Sequence, residues 1–224
     1  MSLILNIDSA LSLASLAVAK DGVVLAWDKH SERDDNGWLH QRIPQLLRDC
    51  GYTINDLVAV ATSIGPGSYT GLRIGLSAAK GLCFALDIPL IAINTLKMMA
   101  AAVNEECNKD MLICPVIDAR RMEVFTATYD NKLNEISPAG AMLLDDQSFQ
   151  PLLAVRKVLF CGNALEKIIP LINTPNAFYS DIQADARHLS RLSCQEFVTK
   201  QFTDLAYCEP LYIKDFFSPS STRL

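Results

Sequence analysis

Glycine recurs at four-residue spacing in SIGPGSYTGLRIGLSAAKGL, residues 63 to 82: Gly67, Gly71 and Gly75, with Ala79 next in the series. At 3.6 residues per turn this spacing lines small residues along one helical face. Each helical glycine costs about 1 kcal/mol relative to alanine. The run therefore calls for something only a missing side chain permits. Two uses qualify: backbone amides that hold a phosphate, or the close approach of another backbone.

The known phosphate motifs do not fit. A P-loop ends in Gly-Lys-Ser or Gly-Lys-Thr, whereas Gly71 runs into Leu72 and Arg73. The dinucleotide pattern needs a third glycine where Thr70 stands. A strand-to-helix turn with free amides can still hold an anion, so that use stays open on the residues alone. On a helical projection Gly71, Gly75, Ala78 and Leu82 share a narrow face, flanked by Ala79 and Leu86. Leu72, Leu76 and Cys83 lie beside it. Arg73, Ser77 and Lys80 form a polar stripe that Phe84 interrupts. A helix apolar around most of its circumference is buried on more than one side. One side should cover a sheet, and the small-residue ridge should receive a second helix, from this chain or from another.

The rest of the chain supplies that sheet. LILNID, LSLASLAVA and VVLAW read as three strands, the last two joined by Asp21-Gly22, a strong hairpin signal. WLHQRIPQLLRDCG puts Leu39, Ile43, Leu46, Leu47 and Cys50 on one helical face, with Gly51 as C-cap and Pro44 as a bend or the first turn. LVAVATSIG is a fourth strand, Ser68 caps the glycine helix, IPLIAIN is a fifth strand and TLKMMAAAVNEEC a third helix. Then MLICPVID, a turn at Ala119-Arg120-Arg121, MEVFTATYD, KVLFCG and the helices NALEKIIPLI and DARHLSRLSCQEFVTKQF partly repeat the order. Three strands, helix, strand, helix is the order of an RNase H-like unit. The expectation is an α/β protein of two such lobes, residues 1 to 105 and a reduced lobe at 106 to 224.

A formal charge of -5, with no basic run beyond Arg120-Arg121, argues against an independent grip on nucleic acid. Seven scattered cysteines without a C-x-x-C pair suggest reduced thiols and no zinc site. Residues 3 to 19 lack Lys and Arg, but Asn6, Asp8 and three serines interrupt them. The stretch is expected to be neither a leader nor a membrane span, which favours a cytoplasmic protein.

GPGSYTGLRIG, followed by AKGL and IPLI, resembles the TsaB family, also known as YeaZ. The resemblance extends to ILNIDSA, the His40 helix, IDARRMEVF, CGNA and EPLYIKD. It implies an actin-like (ASKHA) fold and a noncatalytic, activating partner of TsaD in making threonylcarbamoyladenosine beside the tRNA anticodon. TsaD carries two metal-binding histidines after the equivalent strand. Here those positions fall on Thr95 and Met99, neither a fit ligand for such a metal. The family pairs with TsaD through its first two helices, so Leu39, Ile43, Leu46, Gly71, Leu72, Gly75, Ala78, Ala79 and Leu82 become the expected interface. On that reading Gly75→Leu fills the ridge and leaves the lobe folded. The resemblance further implies TsaE as an ATPase partner, a homodimer when alone, tRNA reached only through the complex, and no tightly bound cofactor, with ATP or ADP confined to the complex interface. The competing class is an enzyme, a small actin-like phosphotransferase or a metallopeptidase-like protein.

Other residues carry two readings each. Asp8 ends the first strand where actin-like kinases hold metal and nucleotide, and with Ser12 it is the candidate nucleotide contact; the turn has no glycine, which favours a structural role. Asp118 and Glu123 either join Asp8 in a carboxylate cluster or shape a hairpin. Arg120 and Arg121 either meet a partner's anion or are solvated. His40 reads as a packed or interface histidine, and Ser68 has no base beside it in sequence.

Overall fold

The computed structural model describes residues 1 to 11, 13 to 30 and 37 to 214. Strands β1 (Leu3–Asp8), β2 (Ser15–Lys20) and β3 (Val23–Lys29) form an antiparallel meander. Asp21 and Gly22, with φ of 50° and 80°, make its second turn left-handed, as the hairpin signal requires. Helix α1 (Trp38–Asp49) follows, with Pro44 inside it and the left-handed Gly51 just beyond its end. β4 (Ala59–Ser63), α2 (Tyr69–Leu86), β5 (Leu90–Ile93) and α3 (Thr95–Val103) complete the first unit. The second contains β6 (Met111–Asp118), β7 (Glu123–Tyr129), β8 (Glu135–Leu143), α4 (Gln150–Leu153), β9 (Lys157–Cys161), α5 (Leu165–Ile168), β10 (Ala177–Ser180) and α6 (Leu189–Val198).

The two sheets have the same connectivity. One runs β3-β2-β1-β4-β5, the other β8-β7-β6-β9-β10. In each, the first three strands are antiparallel and the last two parallel. The second unit is the reduced one, because α4 and α5 are single turns. The last helix of each unit packs on the other unit's sheet: α3 lies against β6, β7 and β9, and α6 against β1, β4 and β5. Met98 of α3 joins Leu189 and Leu192 of α6 in one buried cluster with Ile4 and Ala61.

Several elements differ from expectation. The residue pattern starts the C-terminal helix at Asp185, but a 3-10 turn occupies Ala186–His188 and α6 stops at Val198, before the left-handed Lys200. Pro170 splits the segment after β9 into α5 and a 3-10 turn. Strands β8 and β10 have no counterpart in the sequence reading. β8 holds Pro138 and is largely exposed, so it lacks an alternating apolar face, and β10 has four residues.

The glycine ridge proves intramolecular. A Cβ on Gly67 would stand 2.3 Å from the Ala10 carbonyl oxygen, and one on Gly71 2.0 Å from that of Ser9. Leu39, Ile43, Leu46, Ala78 and Ala79 are buried in the core between α1, α2 and the first sheet; Leu72 and Gly75 are buried too, and Leu82 packs against that core. These residues cover the protein's own sheet and turn. They do not form an outward interface, because the i, i+4 face that looked like a docking ridge is the one the sheet needs. What α2 shows to solvent is Tyr69, Thr70, Arg73, Ser77, Gly81, Phe84 and Ala85, with Phe84 83% exposed.

Candidate functional site

The two lobes face each other across a cleft of about 660 Å³. On the first lobe its wall is Ala10 and the turn Pro66-Gly67-Ser68 leading into α2; on the second it is the Asp118-Ala119-Arg120 turn and Asn163. Residues 211 to 214 of the C-terminal segment line its mouth. The turn into α2 is pinned by backbone. Ser68 N donates to the Ala10 carbonyl at 2.7 Å, and the Ser68 hydroxyl accepts from Gly71 N at 3.2 Å, the expected cap.

On the opposite wall Arg120 and Arg121 are both left-handed, with φ of 68° and 46°. Asp118 holds that turn, accepting from Arg120 N and from Lys167 Nζ, each at 2.6 Å. Partial burial works against its ionisation, but the Lys167 ammonium and the Arg120 amide keep the carboxyl below its ordinary range. Asn163 Oδ1 accepts from Asp118 N at 2.9 Å, which fixes the strand end from β9's side.

Asp8 sits beneath the first wall. It is 1% exposed; its Oδ1 accepts from Ser63 Oγ at 2.6 Å and from Ala10 N at 3.1 Å, while Oδ2 has no partner. Burial raises its pKa to about 6 against the lowering effect of those two bonds. Asp8, Asp118 and Glu123 do not assemble: their partners are Ser63, Lys167 and Lys214 in turn. Among the described residues no three His, Cys, Asp or Glu side chains gather to hold a metal ion. Ser12, the other candidate nucleotide contact, lies outside the described residues.

Thr95 and Met99, the two positions where the resemblance expects metal-binding histidines in TsaD, are engaged otherwise. Thr95 is fully buried and its hydroxyl accepts from Gly65 N at 3.0 Å. The Met99 methyl packs on Gly162, where a Cβ would stand 2.5 Å from it. Neither arrangement suits a metal. Ser68 and Thr70 hydroxyls line the cleft, yet among its described lining residues there is no histidine or cysteine to act as a base or thiolate. His40 lies exposed on α1. Sequence reasoning finds the C-terminal segment only as the motif EPLYIKD and not as part of this site, because it is placed there largely through backbone contacts that no residue pattern encodes.

Twin sheets of identical strand order, exchanged terminal helices and a cleft between matching turns define an actin-like (ASKHA) α/β protein. A family model described as TsaD, tRNA N6-adenosine threonylcarbamoyltransferase, matches residues 16 to 200. The tRNA threonylcarbamoyladenosine biosynthesis protein TsaB of Bacillus subtilis is 34% identical over 71% of this chain and 70% of its own length. The protein of that name from Escherichia coli is 35% identical over 59% of this chain and 57% of its own. A solved structure, of a Pseudomonas aeruginosa protein described as similar to peptidase YEAZ, superposes with a TM-score of 0.81 at 20% identity, over 96% of this chain and all of that one. The chain belongs to the TsaB (YeaZ) family of tRNA threonylcarbamoyladenosine biosynthesis proteins. Among the described residues no helix is long and apolar enough to cross a membrane.

Proposed function

We propose that this chain is a noncatalytic, activating subunit that pairs with TsaD, with TsaE joining the pair, for threonylcarbamoyl transfer to the adenosine beside the tRNA anticodon. It reaches tRNA only through the complex, works in the cytoplasm, and forms a homodimer when alone. ATP or ADP enters only at the complex interface. One observation carries this reading: Thr95 and Met99, at the positions of the relative's ligands, are committed to Gly65 and Gly162 within the fold. The acidic charge and the absence of a long basic run agree with tRNA being held mainly by a partner. The pairing surface is the outer stripe of α2, where Phe84 stands exposed, in place of the buried ridge.

Reconstitution tests it. This chain alone should give no threonylcarbamoyl transfer to tRNA; added to TsaD, TsaE and the activated donor, it should restore transfer and co-elute with TsaD. Transfer by the isolated chain would make it catalytic and overturn the reading, and ATP turnover by it would favour the phosphotransferase class instead.

A further inference from the structure

The chain does not end its ordered course at α6. Thr203 pairs with Leu90 at the edge of the first sheet, its N donating to the Leu90 carbonyl at 2.9 Å and its Oγ1 accepting from Ala92 N at 3.1 Å. A turn closed on Asp204 follows, and Lys80 of α2 donates to the Ala206 and Cys208 carbonyls at 3.3 and 3.2 Å. Leu211 N then donates to the Ile64 carbonyl at 2.7 Å. Its own carbonyl oxygen fits against Gly65, where a Cβ would stand 2.5 Å away. Tyr212 stacks on Tyr69 at 5.1 Å and accepts from Arg73 Nε at 3.1 Å. Two residues later Lys214 forms an ion pair with Glu123, the first residue of β7 on the other lobe.

This segment is therefore a strap. From Thr203 to Tyr212 these contacts are with the first lobe; at Lys214 it reaches the second lobe, and it does so across the mouth of the cleft. The ends differ in strength. The Tyr212 end combines a ring stack, a hydrogen bond and the backbone contacts of Leu211 with Ile64 and Gly65. The Lys214 side chain is 48% exposed and that of Glu123 14%, and an ion pair with one partner so open to water is weak enough to break and re-form.

We propose that residues 211 to 214 are a latch on the interlobe cleft: Tyr212 is its fixed end, and Lys214–Glu123 is the end that releases to let the lobes part. The latch is a property of the chain itself and stands whether or not the pairing with TsaD does.

Hydrogen exchange of the full chain, followed by mass spectrometry, tests it through peptides covering residues 64 to 71 and 117 to 123. Lys214→Glu and Glu123→Lys should each raise exchange there by about fivefold, the size of one exposed ion pair, while β1 and β4 exchange as before. The double variant Lys214→Glu with Glu123→Lys should restore the original rates. Raising salt to about 1 M should loosen the same peptides in the unaltered chain and not in Lys214→Met. Unchanged exchange in both single variants, or no restoration by the swap, overturns the latch. So does loosening that spreads to β1 and β4, since the pair would then support the whole fold.

Discussion

Gly75 of α2 lies so close to Ser9, just past β1, that a Cβ on it would stand 2.1 Å from the Ser9 hydroxyl oxygen. That hydroxyl donates to the Gly71 carbonyl at 2.7 Å, so helix and turn are joined across the ridge. Filling the ridge attacks the fold before any interface. Gly71→Ala drives a methyl into the Ser9 carbonyl, which is backbone, and should cost about 2–3 kcal/mol. Gly75→Ala meets a side chain that can rotate and should cost roughly 1 kcal/mol. Gly75→Leu should leave the lobe poorly folded, contrary to its use as a surface probe. Gly81, with open space around it, is the control: Gly81→Ala should gain about 0.5–1 kcal/mol. Urea midpoints of the three alanine variants would order them; equal midpoints for Gly71→Ala and Gly81→Ala would contradict the packing.

What the sequence makes legible is what neighbours along the chain decide. Asp21-Gly22 fixes its own turn, Ser68 caps its own helix, and Gly51 ends α1 by its left-handed backbone. The direction of the glycine ridge is not of that kind. Periodicity names a face but not what lies against it, and the Ser9–Ala10 turn meets α2 only once β1 and β4 have paired. The family resemblance points to α1 and α2, yet their apolar residues belong to the core. The wall at Asp118 and Asn163 is visible in sequence only as the separate segments IDARRMEVF and CGNA, which the parallel pairing of β6 and β9 brings together.

Asp8 makes stability fall as pH rises. Its folded pKa of about 6 lies above the ordinary 3.8, so the native state holds the proton more tightly than the unfolded chain. Its penalty is absent below about pH 4, grows between about 4 and 6, and is full above. The displacement corresponds to about 3 kcal/mol at most. Asp8→Asn keeps an oxygen for Ser63 and Ala10 and removes the buried charge. It should stabilise the protein by about 1–2 kcal/mol near pH 7.5 and little near pH 4. Melting temperatures at the two pH values check this; a variant less stable at the higher pH would show that the ionised carboxylate is needed.

Asp185 runs the other way. Burial opposes its charge, but bonds from His188 and Arg187 outweigh it and hold the carboxyl well below its ordinary range. Arg187 grips both oxygens, at 2.6 to 3.1 Å, and its guanidinium lies 3.8 Å from the Trp27 ring centre. A depressed carboxyl stabilises above its unfolded pKa and loses that contribution as pH falls. Asp185→Asn should therefore cost about 1–3 kcal/mol near pH 7, with the deficit shrinking below about pH 4. Urea titrations at the two pH values would show it, and a deficit constant with pH would make the loss one of capping alone.

Phe84 is 83% exposed on α2, four residues beyond Lys80, whose ammonium is fixed on the Ala206 and Cys208 carbonyls. Tyr207, between those carbonyls, is 84% exposed. Two aromatic rings held on ordered backbone and left in water are the kind of group that anchors a protein interface. Because Phe84 covers so little of its own lobe, Phe84→Lys should change stability by no more than about 0.5 kcal/mol. If TsaD docks on this stripe, the same change should weaken the pair by about 2 kcal/mol, near thirtyfold in Kd. Light scattering after size exclusion, at matched concentrations, separates the outcomes. A folded Phe84→Lys chain that pairs like the original would remove α2 from the interface.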